Sequence, residues 1–185
     1  MNRNRIIRTD SLKSLSRFGI NKAAAAIGVF DGVHRGHQKV LKTLLGIAER
    51  SHAVPVAVTF TPHPKRVLHP EMAPSLLFPE EEKIQLLARY GAQAVVTIPF
   101  TREFASLSPD HFLDQCLHSG TVRLTGVCVG QSWRFGANAA GSALDLERRA
   151  HLDHFIFEPV EEVRFGSLVV SSTEIRKAIA AGDLD

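Results

Sequence analysis

The sequence predicts an α/β fold, a doubly wound parallel sheet with helices on both faces, from three observations. Short, strand-sized apolar runs alternate along the chain with longer segments whose apolar residues recur at helical spacing, the pattern of βαβ units. The chain has 185 residues, 44% of them hydrophobic and 22% charged, which is room for one core of ordinary soluble composition. No apolar run approaches the roughly 18 residues a membrane-spanning helix needs. The best candidate, Ala23 to Phe30, is strand-sized. With no internal repeat, low-complexity tract or linker, residues 1–185 read as a single domain.

Taken in order, a short strand at Ile6-Ile7 opens the chain. Ala24 to Phe30 is a buried strand closed by the turn dipeptide Asp31-Gly32. A helix follows from about Gly36 to Ser51, with Val40, Leu41, Leu44, Leu45 and Ala48 on its apolar stripe. Val54 to Phe60 is the next strand, ended by the rigid Pro62-His63-Pro64. Glu80-Glu81-Glu82 start a helix whose acidic first turn suits the positive end of its dipole, and Gly91 ends it. Ala94 to Ile98 is a strand. Ser108-Pro109 then gives an N-cap with Pro at the first helical position, and Gly120 is the stop. Leu124 to Gly130 and Phe155 to Val160 are two more strands, and Val163 to Val170 a hairpin. Thr173 to about Ala181 forms a last helix before Gly182. Between them, Gln131 to Asp145 breaks the rhythm with Gly136 and Gly141 and reads as an irregular insertion facing a ligand.

Cys116 and Cys128 are too far apart for a CxxC motif and too few for a disulfide framework. Their apolar neighbours point to buried free thiols in a reducing cytoplasm. The net charge of +3 is concentrated at the start: residues 1–22 carry Arg3, Arg5, Arg8, Lys13, Arg17 and Lys22 against Asp10 alone. A nucleic-acid-binding domain would show a basic face with aromatic or base-reading partners, and none is visible. A secretory signal would need an apolar central run, also missing. Composition alone leaves a mitochondrial presequence open beside the short strand.

The chemistry concentrates in Gly28-Val29-Phe30-Asp31-Gly32-Val33-His34-Arg35-Gly36-His37. A buried strand ends, turns, and enters a helix with two histidines three apart, on one face of the first turn. The free N–H groups and dipole there make an anion site, and Gly36 lets a phosphate approach the backbone. The pair alone fits a metal site or a solvated helix end equally well. Its place after a buried strand favours a ligand, because open α/β sheets bind ligands at the carboxyl ends of their strands.

A second phosphate clamp is Ser171-Ser172-Thr173-Glu174-Ile175-Arg176. Ser171 and Glu174 have the spacing of a capping box, and Arg176 offers planar, multidentate donors suited to pyrophosphate. Together the two stretches suggest a triphosphate held between two helix tips. The chain has no GxxxxGK[ST] and no GxGxxG after a strand, so it is neither a P-loop enzyme nor an ordinary dinucleotide-binding dehydrogenase.

These residues resemble the nucleotidyltransferase superfamily with the HxGH motif, whose fold is Rossmann-like. More closely, GVFDGVHRGH, Thr59 to Pro64, Val129-Gly130 through Arg134-Phe135-Gly136, and SSTEIRKAIAAGDL look like the adenylyltransferase module of bacterial FAD synthetase, from about Ile6 to Leu184 and in the family's order. The resemblance makes the basic start an ordinary one. It implies transfer of AMP from ATP to FMN, giving FAD and pyrophosphate, with Mg²⁺ and with small-molecule partners rather than nucleic acid or membrane. His34 and His37 would stabilise the α-phosphoryl group and Arg176 the leaving pyrophosphate, as catalytic residues. Gly28, Phe30, Asp31, Gly36, Ser171, Ser172 and Thr173 would bind ATP. Pro62, His63, Gly130, Ser132, Trp133, Phe135 and Asn138 would lie toward flavin, with Pro62-His63-Pro64 equally readable as a structural turn. No metal ligand is assigned.

Three departures stand out. Ser132 occupies a position where the family usually has Asn or Asp, Ala139-Ala140 fall where many members have Arg, and the chain ends where bacterial members continue into a riboflavin kinase barrel. The last implies an enzyme without riboflavin phosphorylation. The alternatives are another HxGH enzyme, a cytidylyltransferase or nicotinate-nucleotide adenylyltransferase, and a non-catalytic flavin- or nucleotide-binding regulator.

Overall fold

Six strands pair side by side, all parallel: β1 Ile7–Thr9, β2 Lys22–Ile27, β3 Val54–Thr61, β4 Ala94–Pro99, β5 Arg123–Gly130 and β6 Ile156–Val160. The order across the sheet is β1-β4-β3-β2-β5-β6. The computed structural model describes residues 6–183, so Arg3 and Arg5 of the basic start and Leu184 of the last motif lie outside the described residues. Helices are α1 Arg35–Ser51, α2 Pro64–Leu68, α3 Glu80–Arg89, α4 Arg102–Ala105, α5 Pro109–Leu117, α6 Ala143–Asp153 and α7 Ser172–Ala181. A separate antiparallel pair, β7 Arg164–Phe165 and β8 Leu168–Val169, is the expected hairpin.

Period-two alternation along β2 divides the core into two layers. Ala23, Ala25 and Ile27 face a layer with Phe112, Leu113 and Leu146 from α5 and α6. Ala24 and Ala26 face the opposite layer with Leu41, Leu44, Ile47, Ile84 and Leu87 from α1 and α3. All four alanines are completely buried. Small side chains on this central strand let helices approach the sheet from both sides, and Gly126 on β5 does the same, since a Cβ there would collide with Ile47 of α1. From β2 the chain turns to β3 on one side, while β5 lies on the other. This reversal of strand order opens a crevice at the carboxyl ends, the usual ligand position in such sheets.

The elements read from sequence are present, with shifted ends. β2 stops at Ile27 rather than Phe30 because Phe30 and Val33 take positive φ values of 54° and 36°. The Ser108 hydroxyl accepts the His111 N–H at 3.3 Å, with Pro109 at the first helical position. The irregular stretch Gln131–Asp145 needs correction at its end. Phe135 bridges Gly141 and a 3₁₀ turn spans Ala137–Ala139, but α6 already begins at Ala143. This helix was missed because only Leu146 and Ala150 are buried on it, too sparse a stripe for a periodicity signal. Its overlooked cue was a complete capping box, with the Asp145 carboxylate accepting from the Ser142 N–H at 2.8 Å. The capping box expected at Ser171 is only half present: Ser171 accepts the Glu174 N–H at 3.3 Å, but Glu174 pairs with Lys177 at 2.8 Å. Both cysteines are buried free thiols, and burial pushes their pKa values up.

Candidate active site

The turn from β2 into α1 places both histidines at the mouth of the crevice. Left-handed backbone at Phe30 and Val33 is uncommon for bulky side chains and costs of order 1–3 kcal/mol each, a type of strain that gathers at functional sites. Burial of both side chains holds the turn in place. His34 is the N-cap residue of α1, yet its side chain makes no capping hydrogen bond. His37, in the first turn, stacks on it with ring centroids 3.7 Å apart and planes 21° apart. Phe30 meets the His37 ring edge-on at 5.3 Å. Gly36 lines the same cavity as the histidines and has a packing role the sequence did not suggest. A Cβ there would press within 3.1 Å of the His34 ring, so its missing side chain makes room for the imidazole.

The Nδ1 atoms of His34 and His37 are both shut away from solvent without a hydrogen-bond partner. Such atoms carry an unrelieved desolvation cost. Burial, and then the neighbouring His34, push the His37 pKa down to about 3. Burial also lowers that of His34, against an opposing pull from Asp31. In the free protein both rings are therefore neutral near pH 7. The unfolded chain, with His near 6.5, takes up a proton that native His37 does not. Stability is thus fully present above pH 6.5 and lost as pH falls from there toward about 3, with a slope of at most about 1.4 kcal/mol per pH unit from this residue. Urea unfolding at pH 7 and pH 5 should show a smaller acid loss in His37→Gln than in the parent; equal losses would exclude His37 as the source.

The α7 tip meets the α1 tip at Asp31. The Ser172 hydroxyl donates to the Asp31 carbonyl at 2.7 Å, and the Arg176 guanidinium forms an ion pair with the Asp31 carboxylate. Arg176 Nε also donates to the Ser75 carbonyl at 2.7 Å, and the Leu77 N–H donates to Asp31 Oδ1 at 3.0 Å. Asp31 is 4% exposed. It ties both tips to the segment before α3.

Three cavities surround this junction, and Val29 lines all of them. A cavity of about 300 Å³ is lined by Gly28, Phe30, His34, Gly36, His37, Gly130, Ser132 and Ser171, with valines 160, 163, 169 and 170. A second, about 490 Å³, is walled by Phe60, Phe100, Phe112, Trp133 and Phe135, with Arg134, Asn138 and Ala139 at its edge. Trp133 and Phe135 stack with centroids 4.7 Å apart. Trp133 belongs to both cavities. The third, about 130 Å³, contains Asp31, Pro62, His63, Arg66 and Lys83.

The predicted site residues therefore divide differently from the expectation. Gly130 and Ser132 join the histidine cavity, not the aromatic one. Pro62 and His63 line the small cavity, while Pro64 reaches the aromatic one. His63 also has a structural duty, its Nδ1 accepting the Lys65 N–H at 3.1 Å as the cap of α2. Thr173 is exposed and lines none of the three cavities, nor do Ser172 and Arg176, whose donors are already engaged. Sequence reasoning missed Phe60, Phe100 and Phe112, which read as core, and Lys83, hidden behind three glutamates. Among the described residues, no three His, Cys, Asp or Glu side chains group closely enough to hold a metal ion. No helix among them is long and apolar enough to cross a membrane.

Comparison with known proteins agrees with this architecture. Residues 19–174 match the family described as FAD synthetase. The bifunctional riboflavin kinase/FMN adenylyltransferase of Listeria monocytogenes is 35% identical over 90% of this chain and 52% of its own length. That of Bacillus subtilis is 34% identical over 89% of this chain and 51% of its own. The chain spans about half the length of these curated relatives. A Streptococcus pneumoniae structure titled as a macrolide-efflux protein superposes with a TM-score of 0.81 over 97% of this chain and 59% of that one. At 24% identity this likeness shows the fold alone. The family match over most of the chain, on a doubly wound sheet with its motifs at the switch point, shows that the chain belongs to the FAD synthetase family.

Proposed function

We propose that the chain is an FMN adenylyltransferase, transferring AMP from ATP to FMN to give FAD and pyrophosphate. The observation that carries this reading is the adjacency of two cavities through Trp133 and Val29, one lined by the stacked imidazoles of His34 and His37 and the other walled by aromatic rings. The first suits a nucleotide and its phosphates; the second has the size and apolar character of a site for a planar ring system.

In the proposed reaction an oxygen of the FMN phosphate attacks the α-phosphorus of ATP in line. A new P–O bond forms, the bond to the β-phosphate oxygen breaks, and pyrophosphate leaves with that electron pair. No protein nucleophile is needed. Alignment of two bound reactants contributes as much as about 7–11 kcal/mol. The imidazoles sit where negative charge builds on the α-phosphoryl oxygens. An incoming polyphosphate supplies the opposite charge that raises their lowered pKa values, and each ring then donates a hydrogen bond. Arg176 would reach the leaving pyrophosphate by exchanging Asp31 for it. Magnesium would enter with ATP as part of the substrate, held by phosphate oxygens, in keeping with a donor set that forms no three-residue metal cluster among the described residues. A reducing cytoplasm fits the two free thiols.

The purified chain with ATP, FMN and magnesium should release FAD and pyrophosphate in equal amounts. Turnover only with CTP and a phosphoalcohol, or only with nicotinate mononucleotide, would move it elsewhere in the superfamily. Flavin or nucleotide binding without any turnover would make it a regulator.

A further inference from the structure

The small cavity holds a cation that the reading above does not use. Lys83 stands in the first turn of α3 and turns inward, half-buried, toward the carboxyl ends of β2 and β3. Its ammonium has three donors. One reaches the hydroxyl of Thr59 at 3.3 Å, itself completely buried and donating to the Val29 carbonyl at 3.0 Å. Among the described residues Lys83 forms no salt bridge. The two acids that act on it, Glu80 and Asp31, line the same cavity but have other partners: Glu80 accepts the Thr61 hydroxyl at 2.7 Å, and Asp31 holds Arg176 and the Leu77 N–H. Burial lowers the pKa of the ammonium, and Glu80 and Asp31 oppose that shift. With no salt bridge among the described residues and one donor on Thr59, the ammonium keeps donors free for an anion entering the cavity.

Its position suggests which anion. The cavity shares Val29 and Phe60 with the aromatic cavity and contains Asp31 from the junction of the helix tips. A planar ring in the aromatic cavity therefore has two neighbouring cavities open to its phosphate, this one across Val29 and Phe60 and the histidine one across Val29 and Trp133. Arg66 lines the same cavity, and its volume of about 130 Å³ is on the scale of a phosphoryl group, not a nucleoside.

Resting on the FMN reading, we infer that Lys83 is the acceptor-phosphate residue. Its ammonium binds the phosphate monoester of the flavin nucleotide, fixes the attacking oxygen, and separates the phosphorylated flavin from the unphosphorylated one. A lost charge-assisted hydrogen bond of ordinary strength corresponds to about a 10- to 100-fold change in affinity.

The test titrates flavin fluorescence with FMN and with riboflavin on the parent protein, Lys83→Met, Lys83→Gln and Lys83→Arg. Gln keeps a donor for Thr59 and serves if the Met variant does not fold. Expected is a parent preference for FMN that falls about 10- to 100-fold in Met and Gln, unchanged riboflavin affinity, and substantial retention in Arg. Variants that keep the FMN preference, or that lose both flavins alike, would overturn the assignment of Lys83. A parent protein that binds neither flavin would overturn the FMN reading and this inference with it.

Discussion

Replacing His37 with alanine is expected to lower FAD formation by about 10²- to 10³-fold while the protein stays folded. A single preorganised donor to a developing oxyanion is worth this much in turnover, and His37 lines the histidine cavity with its buried Nδ1 free of any protein partner. The same isolation predicts a small structural effect. The ring's neighbours are Phe30, edge-on, and the His34 ring it stacks on. Its removal deletes an imidazole already short of one hydrogen bond. Steady-state assays of FAD release, with thermal unfolding as the control, check both halves. Near-parental turnover in a folded His37→Ala protein would remove the imidazole pair from the chemistry.

Asp31→Ala is expected to be the most destabilising of the site substitutions. It strips the Arg176 guanidinium of its ion pair and the Leu77 N–H of its acceptor in one step. Breaking a buried pair from one side costs about 3–5 kcal/mol. The Arg176 side chain keeps 20% of its surface exposed, which places the loss near the lower end, about 3 kcal/mol. For a chain of this length that is roughly a 6–12 °C fall in melting temperature. Arg176→Met should also destabilise, by stranding the buried carboxylate. Combining the two should cost less than their sum, because each single change already abolishes the same pair. A melting temperature within 2 °C of the parent, or strictly additive losses, would show that the pair does not hold the junction.

Much of the fold was legible because the sheet announces itself. A run such as Ala23 to Ile27, apolar at every position, has no exposed face and belongs inside a doubly covered sheet. The histidine pair was legible for a related reason, standing where such a strand must turn. What remained hidden was whatever depends on distant packing. Positive φ at Phe30 leaves no mark on composition, because turns of this kind are usually signalled by Gly or Asn. The aromatic cavity draws Phe60, Phe100, Phe112 and Phe135 from four separate segments, and each alone is an ordinary core residue. Lys83 sits in a charged first turn that local rules assign to solvent and to the helix dipole. Its contact with Thr59 of β3 belongs to the tertiary fold and not to the local sequence. The grouping of Gly130 and Ser132 with the histidines follows likewise from β5 lying beside β2, a neighbourhood that strand order, not sequence order, decides.

The ion pair between Asp31 and Arg176 joins positions 145 residues apart. A chain emerging from the ribosome would therefore expose Asp31 long before its partner Arg176 exists. The six strands all precede α7, so the junction of the two helix tips completes itself only when that ten-residue helix arrives and docks. Premature termination before that helix would leave the buried carboxylate of Asp31 without its guanidinium, the same loss that Arg176→Met imposes.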